Sequence, residues 1–187
     1  MPSLVGSEMC IRDSFYRTGA KPGDQIFVTG NLGDSAMGLK ILREKIKKSG
    51  SIKHKNTLVK KHLEPIPRVK ESSLLARSKL KITSMIDISD GLTQDLGHLS
   101  TENNLGANLY EDRLPASKAF LNVCFQKKYN PIDWILQGGE DYELLFTIKP
   151  EDVKKLEKLF LKANVFVSHI GEITKSCLLY TSPSPRD

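Results

Sequence analysis

Apolar residues along the chain alternate between short continuous runs, typical of buried strands, and the spacing of helices that bury one face. The continuous runs predict strands at residues 25–29, 82–88, 107–111, 142–148 and 165–173. Helical spacing predicts a helix from Ala36, stopped at Gly50, and further helices at residues 56–63, 71–80, 92–102, 117–128, 131–136 and 150–163. Strands and helices therefore alternate, which indicates a mixed α/β (α+β) domain rather than a helical bundle.

The two ends of the chain lack this patterning. Residues 1–14 (MPSLVGSEMCIRDS) and 176–187 (SCLLYTSPSPRD) show neither helical nor strand periodicity. Both tracts resemble peptides that arise when adapter DNA at the ends of an assembled fragment is translated. We therefore expect both to be non-native and the folded domain to occupy residues 15–175.

Composition narrows the class of protein. The 187 residues are 39% hydrophobic, enough for one well-buried domain. Cys10, Cys124 and Cys177 lie far apart, which supports neither a disulfide framework nor a zinc site. No run of roughly 18 apolar residues occurs and no secretory signal opens the chain, so a soluble cytoplasmic protein without membrane contact is expected.

The first candidate site is the run Asp87-Ile88-Ser89-Asp90-Gly91, which joins a predicted buried strand to a helix. Two carboxylates and a hydroxyl converge there, and Mg²⁺ prefers such oxygen ligands together with phosphate oxygens. The helix amino terminus adds free N–H groups that favour phosphate. An equally open interpretation is that Ser89 or Asp90 only caps the helix.

The second candidate site is Gly138-Gly139-Glu140-Asp141-Tyr142, where a glycine pair places two acids directly before a hydrophobic strand. Acids in such a turn favour a cationic ligand. Strand alternation would put Glu140 and Tyr142 on one face and Asp141 and Glu143 on the other. The alternative is an exposed turn with charged edge residues.

Two further turns have weaker signals. Arg17 precedes the turn Lys21-Pro22-Gly23-Asp24 and could bind phosphate with its guanidinium, although a solvated turn is the alternative. The segment from Gly30 to Ser35 contains glycines before a helix start, where Asp34 or Ser35 is expected to cap the helix. Glycines at such a place can also surround a phosphate, but the segment lacks the GxxxxGK(S/T) pattern of a P-loop.

The net charge of +6 is concentrated in part in residues 43–61, which contain eight basic residues and one acid. A surface for nucleic acid or phosphate is conceivable there, but the stretch has no aromatic residue for base stacking, which favours a solvated lysine face. The four histidines are His54, His62, His98 and His169. They show no ligand spacing and are interpreted as incidental.

Taken in order, the segments RTGAKPGD, VTGNLGDS, MIDISDGL and GGEDYELLF resemble those of the thiamine-monophosphate kinases. The resemblance covers about residues 15–175. It implies a three-layer α/β/α domain with a mixed sheet, like the carboxy-terminal domain of aminoimidazole ribonucleotide synthetase. It also implies transfer of the ATP γ-phosphoryl group to thiamine monophosphate, with Mg²⁺ as cofactor and no phosphoenzyme or catalytic nucleophile.

Residue by residue, the resemblance makes Asp87 and Asp90 magnesium ligands and makes Ser89 and Arg17 contacts of ATP. Glu140 would face thiamine monophosphate, with Asp141 and Tyr142 supporting that pocket. The family's amino-terminal domain, which carries further acidic ligands and most of a homodimer interface, has no counterpart here, nor does an aromatic residue near the family's carboxy terminus. The chain alone is therefore expected to have little or no kinase activity.

Two rival functions stay open at this point. One is another ATP-dependent enzyme of the same superfamily, against which GGEDYELLF argues. The other is a non-catalytic basic domain that binds nucleic acid or phosphate through residues 43–61, although no nucleic-acid partner is expected if the kinase resemblance holds.

Overall fold

The computed structural model describes residues 14–43, 52–175 and 179–182. Within them one sheet contains the strands β1 (Gln25–Thr29), β2 (Ile82–Ile88), β3 (Gly106–Tyr110), β4 (Glu143–Ile148), β5 (Val167–Thr174) and β6 (Leu179–Ser182). The strand order is β2-β4-β1-β5-β3-β6. The four pairs among β1 to β5 are antiparallel and β3 pairs with β6 in parallel, so the sheet is mixed.

Helices cover both faces of this sheet. In the described residues they are α1 (Asp34–Arg43), α2 (Ile52–Leu63), α3 (Val69–Arg77), α4 (Leu92–Asn103), α5 (Lys118–Lys127), α6 (Pro131–Gln137) and α7 (Val153–Lys162). Successive side chains of β1 enter different cores, because strand side chains alternate between faces. Ile26 and Val28 pack with α1, α2, α4, α5 and α6, whereas Phe27 packs with α3 and α7. The expected three-layer α/β/α arrangement is confirmed.

The predicted elements occur in the predicted order, and the differences lie at their ends. Tyr142 was expected to begin β4, but its left-handed φ of 51° excludes it from the strand. Glu111 begins a 3₁₀ turn (Glu111–Arg113) instead of ending β3. Pro150 likewise opens a 3₁₀ turn (Pro150–Asp152), and α7 begins only at Val153. Gly50, the expected end of α1, lies outside the described residues.

The carboxy-terminal tract departs from the expectation of no regular structure. Leu179–Ser182 forms β6, which extends the sheet beside β3. Residues 1–13 lie outside the described part, so the structure leaves the expected non-native origin of both tracts as a prediction. None of the helices in the described residues has the length and apolarity needed to cross a membrane.

Antiparallel pairing brings the sequence motifs to one end of the sheet. β4 runs opposite to both β1 and β2, so the start of β4 lies beside the ends of the other two strands. The loops at residues 30–33, 89–91 and 138–142 therefore lie at the same sheet end.

Candidate functional site

Two acidic loops, at residues 89–91 and 138–142, are joined by their backbones. The Glu140 amide donates to the Ser89 carbonyl at 2.7 Å, and the Tyr142 amide donates to the Ile88 carbonyl at 2.9 Å. A Cβ atom on Gly139 would lie 2.5 Å from the Ser89 carbonyl oxygen, so this contact requires glycine. The two strongest sequence motifs thus form one continuous surface.

The turn before α4 is organised by Asp95, a residue for which no role was predicted. Its buried carboxylate accepts hydrogen bonds from the amides of Ser89, Asp90 and Gly91, at 2.9, 3.0 and 3.2 Å. Neither Ser89 nor Asp90 caps the helix with its side chain, so the capping interpretation of this motif is wrong. The available sequence signal was an acid in the first turn of α4, a position that favours negative charge.

Asp87 and Asp90 keep exposed carboxylates at this junction. Asp87 lines a cavity of about 370 Å³, together with Arg68, Tyr142 and Leu144. The Asp90 carboxylate accepts a long hydrogen bond of 3.4 Å from the Gln94 side chain. Both carboxylates are therefore available to a ligand.

The metal-binding geometry differs in one respect from the predicted pair. In residues 14–43 and 55–175, one group of three possible ligands has all its donor atoms within 4.8 Å, and it consists of Asp90, Asp95 and His98. Asp87 is not part of that group. Exposed carboxylate oxygens fit Mg²⁺, whereas the His98 nitrogen is a softer ligand and Asp95 already accepts three amides. His98 was interpreted as incidental, but the structure places its ring beside Asp90 and Asp95.

Glu140 presents its carboxylate from a left-handed backbone position with φ of 63°. Its side chain is 54% exposed, and its Oε2 atom lies 3.2 Å from Nδ1 of His62. The same nitrogen lies 3.0 Å from Oγ of Ser35. His62 was also interpreted as incidental, and that interpretation is wrong because it contacts the predicted substrate residue.

Asp141 caps α1 from a distant part of the chain. Its carboxylate accepts hydrogen bonds from the amides of Gly33 and Ser35, at 2.6 and 3.0 Å. The expected capping residue Asp34 instead accepts a bond from the Ser117 hydroxyl at 2.6 Å. Asp141 therefore supports the site by attaching the acidic loop to α1.

Burial raises the pKa of Asp141 to about 7. The two amide hydrogen bonds oppose this rise, and the nearby charges of Asp34 and Glu143 add to it. The acidic loop is thus anchored by a carboxyl group that titrates close to neutral pH.

An ion pair that the sequence gave no reason to predict lies beneath the same loop. Arg68 binds the fully buried Glu143 with two guanidinium nitrogens, of which Nε donates at 2.6 Å. The Thr29 hydroxyl donates to the same carboxylate at 2.8 Å. Burial raises the pKa of Glu143, while Arg68 and Thr29 counteract that rise. Strand alternation does not extend to residues 140–142, because Glu140 and Tyr142 have left-handed φ angles, and Asp141 and Glu143 both serve as structural acids.

Tyr142 and Arg17 differ in their relation to the site. Tyr142 is 40% exposed and lines the cavity beside Asp87. Arg17 instead lies 3.8 Å from Glu102, near the last residue of α4. Asp90 precedes the first residue of that 12-residue helix, so roughly 18 Å of helix separates the two ends. The structure does not bring Arg17 to the acidic loops.

A second cavity adjoins the acidic loop on its other side. It has a volume of about 290 Å³ and is lined by Ala36, Trp134, Gln137 and the glycine pair Gly138 and Gly139. The Trp134 ring lies against Tyr129, with 5.5 Å between ring centroids. The Trp134 side chain and the residue before Glu140, Gly139, thus line the same cavity.

Comparison with known proteins places these features in a family context. Residues 21–180 match the family model described as AIR synthase related protein, C-terminal domain. A thiamine-monophosphate kinase of Buchnera aphidicola subsp. Schizaphis graminum is 40% identical over 165 residues, which are 88% of this chain and 49% of the relative. The chain thus spans about half the length of that relative.

Solved structures of thiamine-monophosphate kinases are also similar to this chain. A thiamine-monophosphate kinase from Stenotrophomonas maltophilia K279a superposes with a TM-score of 0.81 at 28% identity, covering 93% of this chain and 54% of the other. A structure described as AaThiL complexed with AMPPCP and TMP gives a TM-score of 0.75 at 28% identity, covering 91% and 52%. The similarity therefore extends over nearly all of this chain and about half of each neighbour.

Proposed function

Because the chain belongs to the family described as AIR synthase related protein, C-terminal domain, we propose that it is the matching part of a thiamine-monophosphate kinase. Such an enzyme moves the γ-phosphoryl group of ATP to thiamine monophosphate and forms thiamine diphosphate. The similar protein AaThiL has been solved in complex with AMPPCP and TMP. AMPPCP is an analogue of ATP, and TMP fits thiamine monophosphate, so both ligands suit this reaction.

One observation carries the proposal: the end of β2, which contains Asp87, and the following turn with Asp90 are hydrogen-bonded to the loop that contains Glu140, while all three carboxylates stay exposed. Two other acids, Asp95 and Asp141, accept the hydrogen bonds from the backbone amides at this junction. Asp87, Asp90 and Glu140 do not cap a helix, and their exposed carboxylates share one surface with a helix amino terminus. Such a surface fits the binding of Mg²⁺ and phosphate.

Asp87 and Asp90 are the proposed ligands of Mg²⁺, and Ser89 between them is the proposed ATP contact. Bound Mg²⁺ would neutralise phosphate charge as it builds up during transfer. The residues of this chain hold and orient the nucleotide, so no nucleophilic side chain is required. Arg17 stays a proposed nucleotide contact for which the geometry of this chain offers no support.

Glu140 is the proposed contact of thiamine monophosphate, whose thiazolium ring is cationic. A carboxylate on an exposed loop attracts such a ring, and the cavity lined by Tyr142 and Leu144 provides an apolar wall. Asp141 holds the loop in place. Charge and shape therefore favour the same assignment.

Binding of both ligands to the 187-residue chain tests the proposal. Isothermal titration with AMPPCP should show binding that requires Mg²⁺, and thiamine monophosphate should bind more tightly than unphosphorylated thiamine or an amidine-bearing ribonucleotide. Tighter binding of the ribonucleotide would indicate that the protein is a different ATP-dependent enzyme of the same superfamily. Binding of duplex DNA that weakens with salt, without binding of either small ligand, would favour the basic domain instead.

We also propose that this chain by itself has little or no kinase activity, because it spans only about half of its relatives. Turnover of ATP with thiamine monophosphate on the order of 1 s⁻¹ or faster would contradict this. Residues 44–51 of the basic stretch at residues 43–61 lie outside the described residues. Of its described members, Lys60 lies 3.6 Å from Glu64 in an exposed pair.

A further inference from the structure

His62, near the end of α2, lies directly against the loop that carries Glu140. Its Nδ1 atom is 3.2 Å from Oε2 of Glu140 and 3.0 Å from Oγ of Ser35. The histidine side chain is only 14% exposed, whereas that of Glu140 is 54% exposed. A buried ring thus contacts an exposed carboxylate.

The position of His62 is fixed by a close crossing of α1 and α2. A Cβ atom on Gly38 of α1 would lie against the Leu58 carbonyl and 3.1 Å from Cβ of His62. The missing side chain at Gly38 therefore lets α2 approach α1 closely enough for the ring to reach the loop. The helix α1 begins where Asp141 caps it, whereas Glu140 is contacted by His62 of α2, so the two crossing helices each contact one acid of the loop.

The contact of Nδ1 with a carboxylate oxygen favours a hydrogen on Nδ1 of His62. An unprotonated Nδ1 would direct its lone pair at a carboxylate oxygen 3.2 Å away, which is repulsive. A hydrogen on Nδ1 turns the same contact into a charge-assisted hydrogen bond. The Ser35 hydroxyl is compatible with this state because its oxygen can also accept.

We infer that His62 is a positioning residue, whose Nδ1–H group holds Oε2 of Glu140 and leaves the other carboxylate oxygen to the cationic substrate. The backbone of Glu140 is fixed separately, by its amide bond to Ser89 and by a left-handed φ. Backbone and side chain together define where the negative charge lies. The substrate part of this inference rests on the proposed function, whereas the contact itself does not.

Nuclear magnetic resonance of the 187-residue chain tests the contact directly. Long-range proton–nitrogen correlations distinguish an imidazole with hydrogen on Nδ1 from one with hydrogen on Nε2. We expect the Nδ1–H form for His62 in the wild type and its loss in the Glu140→Ala variant. An Nε2–H form in the wild type, or no change in the variant, would overturn the inference.

Titration of the same chain with thiamine monophosphate tests the consequence, with the amide signals of residues 139–142 as the readout. His62→Leu should weaken binding about tenfold, the usual effect of losing one hydrogen bond to a charged group. His62→Asn should stay within about threefold of the wild type, because its amide nitrogen can occupy the place of Nδ1. Equal losses in both variants would indicate a packing role and contradict the inference.

Two further variants separate this role from general effects. Lys60→Met removes an exposed charge on the same helix and should bind like the wild type. In a Glu140→Ala background, His62→Leu should cause no additional loss, and a full tenfold loss there would show that His62 acts independently of Glu140. If the wild type gives no shift at millimolar ligand, the substrate assignment fails, while the tautomer result still decides the contact.

Discussion

The carboxylate of Asp141 accepts a 2.6 Å hydrogen bond from the backbone amide of Gly33, 108 positions earlier in the chain. This bond, with its neighbour at Ser35, joins the loop of Glu140 to the first turn of α1. Because burial raises the pKa of Asp141 to about 7 from a usual 3.8, the folded protein binds this proton more tightly than the unfolded chain does. The anchor of the loop is thus sensitive to pH.

Asp141 should make the free energy of unfolding fall as pH rises from about 4 to about 7. In that range the folded state holds more protons than the unfolded state, so raising the pH favours unfolding, and the effect levels off above about 7. The expected size is on the order of 4 kcal/mol. Urea unfolding of the wild type and Asp141→Asn at several pH values measures it, since the difference between the two isolates this residue.

The control for Asp141 is Glu157→Gln, which changes an exposed acid on α7. Its difference from the wild type should change far less between pH 4 and pH 8 than the difference measured for Asp141→Asn. A wild-type advantage over Asp141→Asn that grows with pH would mean that the hydrogen bonds from α1 outweigh burial and depress the pKa.

Asp87→Asn and Asp90→Asn should each weaken Mg²⁺-dependent binding of AMPPCP by at least about tenfold, since each removes a charged oxygen ligand. Both side chains are exposed, so the free energy of unfolding should change by less than about 0.5 kcal/mol. Isothermal titration with and without Mg²⁺ gives the first quantity and urea unfolding the second. Nucleotide binding that is unaltered in both variants would remove the carboxylate pair from the proposed site.

Arg68→Met should destabilise the chain by about 3 kcal/mol, because it leaves the Glu143 carboxylate buried without its cationic partner. The double variant Arg68→Met with Glu143→Leu should recover part of that loss, since it removes the uncompensated charge as well. Urea denaturation of both variants provides the comparison. A double variant that loses as much stability as the two single variants together would show that Arg68 and Glu143 act independently and would contradict this prediction.

Gly139→Ala should both destabilise the chain and weaken binding at Glu140, because the new methyl group would meet the Ser89 carbonyl at 2.5 Å and separate the two acidic loops. Gly23→Ala is the matched control, since it places a methyl group in open space at a positive φ of 91°. Gly23→Ala should cost about 1 kcal/mol of stability through backbone strain and leave thiamine monophosphate binding unchanged. Titration followed by urea unfolding distinguishes the two effects.

Local patterns in the sequence were sufficient for most of the fold. The continuous runs that predicted β1 and β2 coincide with the observed strands, because a buried strand needs only adjacent apolar residues of high strand propensity. Element ends were less accurate where the backbone takes a rare conformation. Tyr142 has a strand-forming side chain, but the hydrogen bond of its amide to Ile88 holds it in the left-handed region.

The motifs located the candidate site, but the residue types alone did not show which acids are exposed and which are buried as helix caps. Asp87, Asp90, Glu140 and Asp141 all appear as acids in short turns. The structure divides them into exposed carboxylates and a buried helix cap. His62 and Arg68 had no recognisable signal of function, and Asp95 had only its place in the first turn of α4, because their partners are determined by packing between helices and sheet.

By itself, the sequence determined the order of strands and helices, the mixed α/β class and the turns where acids gather, since these depend on neighbouring residues along the chain. Only the tertiary structure decided that β4 lies between β1 and β2, which brings the turns of Asp90 and Glu140 into contact. It also decided which acids are buried, since burial depends on elements distant in the chain. A carboxylate becomes a cap or a ligand according to the backbone amides that reach it, and those amides are brought by the fold.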